Sequence, residues 1–473
     1  MYWMRYFFCP LVFLFSGCLS IQHPPEVILS TPPQWKEKTS SSEALPSTDN
    51  WWLTFHDPQL NKLVSLLIAN QPQLKAASLR IDQARQNLRS SKADFFPKIN
   101  SKASAVHETL SQSAFAANLP PGIPLPSIER ERYSLGLDFS WELDLWGKIR
   151  HRSQSSLQRS LSAYEQWASL QLSLIAELAK NHFTARSLAK QSTILHHAIL
   201  GRQTAENLQA DRLKAGLSSE LDLARAKTET ALAINEKIQI DRQWHLTHHS
   251  IAILCGITPS QLHFPKSTHL PHPPTIPVTS PSSLLQRRPD IRSAYHNLAA
   301  SFHDSKVAKA NLLPNFQITG LGGLESIGID LLLDWKSRTS SIGPSLTLPL
   351  FQGGKLRSLL KLSQLSHQEQ LQLYTQTWLT AAREVEDALS NLRHYRLQNS
   401  ATSKIHLAAL TTSKLGQSRY EQGLTSYFEW VDSERTLLNA ELSLAQIQLL
   451  QLLGSIDLYK ALGGSFSNPI PKT

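Results

Sequence analysis

The chain has 473 residues, 41% of them hydrophobic, and a formal net charge of +10. That length suits several ordinary domains or one elongated architecture, and the hydrophobic content excludes a disordered chain. Lys and Arg are spread along the sequence with no basic block, which speaks against a nucleic-acid partner, and three cysteines exclude a disulfide framework.

Residues 1–20 read MYWMRYFFCPLVFLFSGCLS. One cation, Arg5, precedes an apolar run from Tyr6 to Phe15 that is too short to span a bilayer as a helix, the pattern of a cleaved signal over 1–17. Ser16 and Gly17 ahead of Cys18 resemble a bacterial lipobox, although Phe15 stands where that pattern usually has Leu. The resemblance implies acylation of Cys18 as the mature N-terminus, with 18–57 an extended segment behind it. Leu19 follows where an Asp would favour inner-membrane retention, so the outer membrane is the default destination.

Prolines partition the rest. None occurs between Pro126 and Pro259 or between Pro349 and Pro469, and a Pro-rich connector over 266–286 lies between those stretches. Proline breaks helices, so the two proline-free runs are where long helices can form. Leu371, Tyr374, Trp378, Ala381, Val385, Ala388 and Leu392 recur at steps of three and four, a coiled-coil stripe, and Leu157, Leu161, Tyr164, Ala168, Ile175 and Leu178 form a less regular one. Each run is broken once, by Gly216-Leu217 and by Gly423-Leu424, so each reads as a helical hairpin, the first helix running from about 148 to 212.

The chain also repeats itself. Residues 70–99 match 287–316, and GLDFSWELDLWGKIR at 136–150 matches GPSLTLPLFQGGKLR at 343–357. The first copy carries a longer connection, FAANLPPGIPLPSIER, which reads as an exposed loop. The copies are placed at 58–265 and 287–463, each a helix, two strands and a long helical hairpin, followed by a tail at 464–473. Over 133–145, Tyr133, Leu135, Leu137, Phe139, Trp141, Leu143 and Leu145 alternate with polar, acidic and glycine residues, and 342–350 keeps the same register. Period two is a strand with one apolar and one polar face. Pro344 and Pro349 point to a strand that is irregular or short at its end. Weaker strands are expected at about 98–107 and 315–324. Four strands cannot close a barrel, since even small ones need about eight. Several chains must then pool strands, or helices must cover an open sheet.

The lipobox, WWLTFHDPQL, SWELDLWGKIR, RRPDIR, GPSLTLPLFQGGKLR, YEQGL and LYKALGG together resemble the TolC-like outer-membrane efflux lipoproteins, in particular the NodT type that serves multidrug pumps. The resemblance covers the chain from Cys18 to about Phe466. It implies a mainly α fold with membrane β: a homotrimer, each chain lending four strands to one twelve-stranded barrel that is continued by an α-helical coiled-coil tunnel through the periplasm. The expected partners are a periplasmic adaptor, an inner-membrane pump and outer-membrane lipid. Beyond a covalent lipid on Cys18, no cofactor is expected.

On that resemblance the two GL motifs are the tunnel's far tips, and Gly216, Leu217, Ser218, Gly423, Leu424 and Thr425 are the turns that meet the adaptor. Glu429 and Asp432 share one helix face, so a trimer would crowd six carboxylates near one axis, where they attract cations and resist desolvation. They are carried over as the resting aperture. Asp222 is the first copy's counterpart of Glu429, but Arg225 stands opposite Asp432, so that tip is partly neutralised by an Asp222–Arg225 pair. Closed states of the family also imply a tie between Tyr420 and Asp222. An arginine that some relatives place two residues after the second glycine is Thr425 here, so one latch is missing.

Other signals carry less. LGGLESIG and FQGGKLRS lack the spacing of nucleotide-binding loops. His245, His248, His249 and Cys255 have no carboxylate at ligand spacing, so no metal site is assigned, and no catalytic constellation is identified. The sequence therefore points to a passive outer-membrane duct for small molecules such as drugs, not an enzyme. Type I protein secretion is the alternative within that class, and a lipid-anchored periplasmic coiled-coil scaffold the alternative outside it. The scaffold leaves the alternating strands unexplained.

Overall fold

A computed structural model of the chain describes residues 32–37, 50–110, 128–263, 265–277 and 280–464. The signal, Cys18 and most of the 115–130 loop lie outside them. A short 3-10 turn at Trp51–Phe55 precedes α1 (Pro58–Asn70), α2 (Pro72–Ala93), β1 (Lys98–Leu110), β2 (Ile128–Glu142), α3 (Lys148–Lys214) and α4 (Glu220–Leu254). The second half runs α5 (Pro289–Ala310), β3 (Asn315–Ser326), β4 (Arg338–Thr347), α6 (Lys355–Glu421) and α7 (Tyr427–Ala461). The echo in sequence is an echo in structure. α2 and α5 both have 22 residues, α3 and α6 both 67, α4 and α7 both 35.

The chain divides into two compact units, each drawing on both copies of the repeat. One takes Asp82–Ser162 and Tyr295–Leu373 and holds the strands; the other takes Ile28–Ile81, Ala163–Ala294 and Tyr374–Thr473.

In the strand unit the four strands form one sheet in the order β1-β2-β3-β4. All three pairings are antiparallel, with Leu135 opposite Ala103 on one side and Leu324 on the other, and Leu324 opposite Arg338. Since partners across an antiparallel pair share a face, that register collects Ile99, Ala103, Tyr133, Leu135, Leu137, Phe139, Trp141, Phe316, Ile318, Leu324, Ile342, Pro344 and Leu346 on one side of the sheet. The other side takes Asn100, Lys102, Ser104, Glu108, Arg130, Arg132, Asp138, Glu142, Gln317, Thr319, Glu325, Thr339 and Ser345. Leu135, Leu137, Ile342 and Leu346 are exposed in the single chain.

The strand expected to end at Leu145 ends at Glu142. The cause is Asp144, whose carboxylate accepts the N–H groups of Ile149 and Arg150, each at 2.9 Å, and so caps the start of α3. In the second copy the strand starts at Arg338 and ends at Thr347, one residue short of Leu348 and two short of Pro349. Pro344 sits opposite Ile318 on β4, the outermost strand of the chain's sheet, where a missing N–H is tolerated. Beside the sheet, the Trp141 and Trp146 indole N–H groups donate to the Phe95 and Pro314 carbonyls at 2.9 and 2.7 Å.

The helical unit has the main core. Its α6 stripe is buried as the heptad pattern requires, at Tyr374, Trp378, Ala381, Val385, Ala388 and Leu392. Ala168, Ile175 and Leu178 are buried on α3. The N-terminal WWLTF turn is pinned by aromatic contacts: Trp51 stacks on Tyr459 at 5.3 Å between centroids, and Phe55 meets Phe183 at 5.1 Å. Just after it, Asp57 caps α1 by accepting from the N–H groups of Gln59 and Leu60 at 3.0 and 3.1 Å. Its carboxylate also meets His182 Nε2 at 2.9 Å and Arg186 Nη1 at 2.8 Å, with the carboxyl and imidazole both buried.

Candidate functional site

Both hairpins of the helical unit stop and restart by one backbone device. Gly216 and Gly423 sit at φ of 72° and 74°, the left-handed region where glycine meets no Cβ penalty. The N–H of Leu217 reaches the Arg212 carbonyl at 2.8 Å and that of Gly216 the Leu213 carbonyl at 3.0 Å, and Leu424–Arg419 and Gly423–Tyr420 repeat both distances. This pair of bonds is the Schellman stop. Ser219 then caps α4, its Oγ accepting from the Asp222 N–H at 3.1 Å, and Ser426 Oγ accepts from the Glu429 N–H at 3.4 Å.

The acid six residues past each glycine is therefore the third residue of the next helix. An acid there completes a capping box and meets the positive end of the helix dipole. Ser219 Oγ donates in return to the Asp222 carboxylate at 2.8 Å. Capping thus accounts for the recurrence of Asp222 and Glu429 by itself. Asp432, one turn further along α7, has no such duty.

Arg225 Nη1 lies 3.9 Å from the Asp222 carboxylate, as their spacing suggested, and its guanidinium also sits over the Phe428 ring at 5.4 Å. The Tyr420–Asp222 tie is not made. Tyr420 is buried, and its hydroxyl accepts from Arg212 Nη1 at 2.7 Å and from Gln209 Nε2, while Asp222 is held at its own helix end by Ser219. Both residues do line one cleft of about 480 Å³ between the tips, with Leu217, Ser218, Arg225, Gly423 and Thr425 around it. Leu217 and Leu424 point outward and are exposed. Glu429 and Asp432 are exposed, and Glu429 makes no ion pair among the described residues.

Beneath the tips the two hairpins share an aromatic core. Tyr420 stacks on Trp430 at 5.0 Å and meets Tyr427 edge-on at 5.8 Å, packed with Ala205 and Ala226. Burial pushes the Tyr427 hydroxyl up to about 12, reinforced by Tyr420 and the Glu229 carboxylate. Glu229 is itself buried, 3.5 Å from Arg202 Nη1 and in contact with Arg435 Nη2. Sequence reasoning missed Gln209, Arg212, Glu229 and Arg435. One signal was available: alignment of the copies places Arg435 opposite Thr228, next to Glu229, so equivalent positions of the two hairpins face each other.

Tyr420→Phe should loosen this core, because Gln209 and Arg212 both lose their acceptor. A loss of about 1–3 kcal/mol is expected for stranded buried donors. Amide hydrogen exchange should accelerate around 205–212 and 420–430 and stay unchanged at the Trp51–Tyr459 cluster; uniform exchange in both regions would show that the hydroxyl holds nothing.

The histidines set aside on α4 have other contacts: His248 stacks on Trp244 at 5.2 Å and Lys266 Nζ lies 4.6 Å above the same indole. Among the described residues no group of three or more His, Cys, Asp or Glu side chains is placed to hold a metal. Burial pushes the Cys255 thiol up to about 11, far from a reactive thiolate. No helix among the described residues is long and apolar enough to cross a membrane.

Comparison with known proteins agrees with this architecture. The family described as outer membrane efflux protein matches residues 63–256 and 280–464. The chain is 30% identical over 434 residues to the solvent efflux pump outer membrane protein SrpC of Pseudomonas putida, spanning 91% of this chain and 90% of that one. Among solved structures, the outer-membrane channel OprN superposes with a TM-score of 0.83 at 30% identity, covering 93% of this chain and 98% of OprN. A membrane protein from Pseudomonas aeruginosa gives 0.85 at 26% identity, covering 94% and 99%. With the family matched across both copies of the repeat and the fold shared nearly end to end, the chain belongs to the outer membrane efflux protein family.

Proposed function

We propose that this protein is the outer-membrane duct of a tripartite export system, passively conducting small molecules delivered by an inner-membrane pump through a periplasmic adaptor. The observation that carries the proposal is the amphipathic sheet. Its apolar face is continuous across all four strands, and β1 and β4 each have an open edge among the described residues. Long unpaired edges are templates for further strands, and four strands from each of three chains would close a barrel with the polar face toward a wet lumen. Adaptor contact falls to the exposed tip turns at Gly216–Ser218 and Gly423–Thr425, and the aperture to Glu429 and Asp432. The relatives' names, solvent efflux among them, favour small molecules over secreted proteins. Cys18 carries a lipid in this account.

The test is the native mass of the protein extracted from outer membranes in mild detergent. A trimer is the expected result, with each chain heavier by its acyl groups on Cys18. A stable monomer would leave the sheet open and overturn the duct in favour of a lipid-anchored scaffold.

A further inference from the structure

The end of the sheet remote from the helices carries the connection between β3 and β4, residues 327–337, and its composition is unusual for a loop. Ile329, Leu333 and Trp335 are 69%, 77% and 73% exposed. They stand apart from the polar cleft at this end, which is lined by Arg130, Arg132, Glu325 and Lys336 together with Ile327 and Leu331. The connection is nonetheless well built. Leu332 and Asp334 N–H groups bond back to Ile329 and Leu331 at 3.3 and 3.1 Å, Ser337 Oγ donates to the Leu331 carbonyl at 2.7 Å, and Asp334 caps a short 3-10 turn at Trp335–Ser337. Three large apolar side chains are thus held exposed by a hydrogen-bonded frame.

Arg338 follows at the first position of β4. Its guanidinium lies 4.5 Å above the Trp335 ring, it is exposed, and it has no carboxylate partner among the described residues. Register places it on the apolar side of the sheet, opposite Leu324 and in line with Ile342, Pro344 and Leu346. On that side of the sheet Glu129 and Glu131 are on β2, two strands away, with Glu131 engaged by the Tyr133 hydroxyl at 2.6 Å; in the connection itself Asp334 accepts the Lys336 N–H at 3.0 Å, and neither it nor Asp330 pairs with Arg338.

From this juxtaposition we propose that Ile329, Leu333 and Trp335 dip into the outer leaflet while Arg338 binds the phosphate of a phosphorylated lipid headgroup. On the reading that the sheet's apolar face meets acyl chains, the occupant is membrane lipid, because Arg338 stands in register with that face and Trp335 lies against its guanidinium. An indole at the water–lipid boundary is amphipathic in the right sense, and a guanidinium stacked on it keeps its charge at headgroup level. No carboxylate pairs with Arg338 among the described residues, and a cation at such a surface gains from anionic lipid. The patch would fix the depth of each chain at the end of the barrel opposite its periplasmic helices.

The test reconstitutes the full-length protein in vesicles whose acyl chains are brominated, made of phosphatidylcholine alone or of an equimolar mixture with phosphatidylglycerol. Trp335 is read as the difference between wild type and Trp335→Phe, and Trp141, on the same sheet face, through Trp141→Phe. Both indoles should be quenched, Trp335 more strongly in the mixture. Arg338→Gln should erase that increment and weaken retention of phosphatidylglycerol in native mass spectra about fivefold. Quenching of Trp141 without Trp335 would overturn the patch and leave the barrel intact, whereas loss of both would strike at the barrel itself. Equal quenching of Trp335 in the two lipids would overturn the phosphate site. Efficient cross-linking of Leu333→Cys between copies, with Trp335 unquenched, would show that a neighbouring chain covers the patch.

Discussion

Replacing Glu429 and Asp432 together with alanine should raise single-channel conductance and weaken block by a multivalent cation on the order of tenfold, since clustered charge concentrates counter-ions. Both carboxylates are exposed on one face of α7. The guanidiniums around them are occupied: Arg212 with Tyr420, Arg225 with Asp222, and Arg435 with Glu229. Asp432 does feel Arg435, whose pKa is raised chiefly by the Glu229 hydrogen bond, with Asp432 adding to it. Glu429→Gln with Asp432→Asn keeps the side-chain volume and should reproduce most of the effect, separating charge from bulk. The Ser426 hydroxyl cap survives either change, because it accepts from a backbone N–H. Block and conductance unchanged in both double mutants would move the constriction away from the tips.

The second large effect is expected far from the tips, at Asp57. Asp57→Ala removes the α1 cap and leaves Arg186 and His182 buried without their shared carboxylate. Breaking one side of a buried charged pair costs about 3–5 kcal/mol, and thermal unfolding of the detergent-solubilised protein followed by circular dichroism should show it. Acid should have a milder version of the same effect. Burial pushes the His182 imidazole down from its ordinary 6.5, with the Arg186 charge acting the same way against Asp57. A base held below its ordinary value favours the fold when neutral, so this contribution is complete above 6.5 and is lost as the pH falls below it. Burial alone would raise the Asp57 carboxyl, but the His182 hydrogen bond and charge, the Leu60 N–H and Arg186 together hold it below its ordinary 3.8. Its contribution is present above 3.8 and disappears as the pH drops through the lower, folded value. Stability therefore declines on acidification in two stages, and His182→Gln should remove the first and shrink the second, which the Leu60 N–H and Arg186 would then hold alone.

Much of this fold was legible in the sequence because it is periodic. The step of three and four on α6, the alternation on β2 and the proline-free runs each state a local geometry, and duplication states it twice. Strand ends were less legible. Leu143 and Leu145 continue the alternation, but Asp144 between them caps a helix, and a cap is a hydrogen bond that hydropathy cannot register. The tips divide in the same way. Gly-Leu-Ser/Thr-Ser marks a stop and restart, yet the partners of Tyr420 are 208 and 211 positions away in the chain, where only the fold brings them together. The Asp57–His182–Arg186 group was invisible for that reason, its members lying 125 and 129 positions apart.

The equal lengths of the duplicated helices have an evolutionary side. α3 and α6 each have 67 residues, and α4 and α7 each have 35. Seven residues added to one hairpin arm alone would displace its turn by roughly 10 Å against its twin, pulling Arg212 and Gln209 away from Tyr420 and Glu229 from Arg435. A duct of this kind can lengthen to suit a deeper envelope only by matched insertions in all four arms. Insertions confined to one arm should be purged, so the four arms drift in length together, while a connection such as 115–130 escapes that constraint.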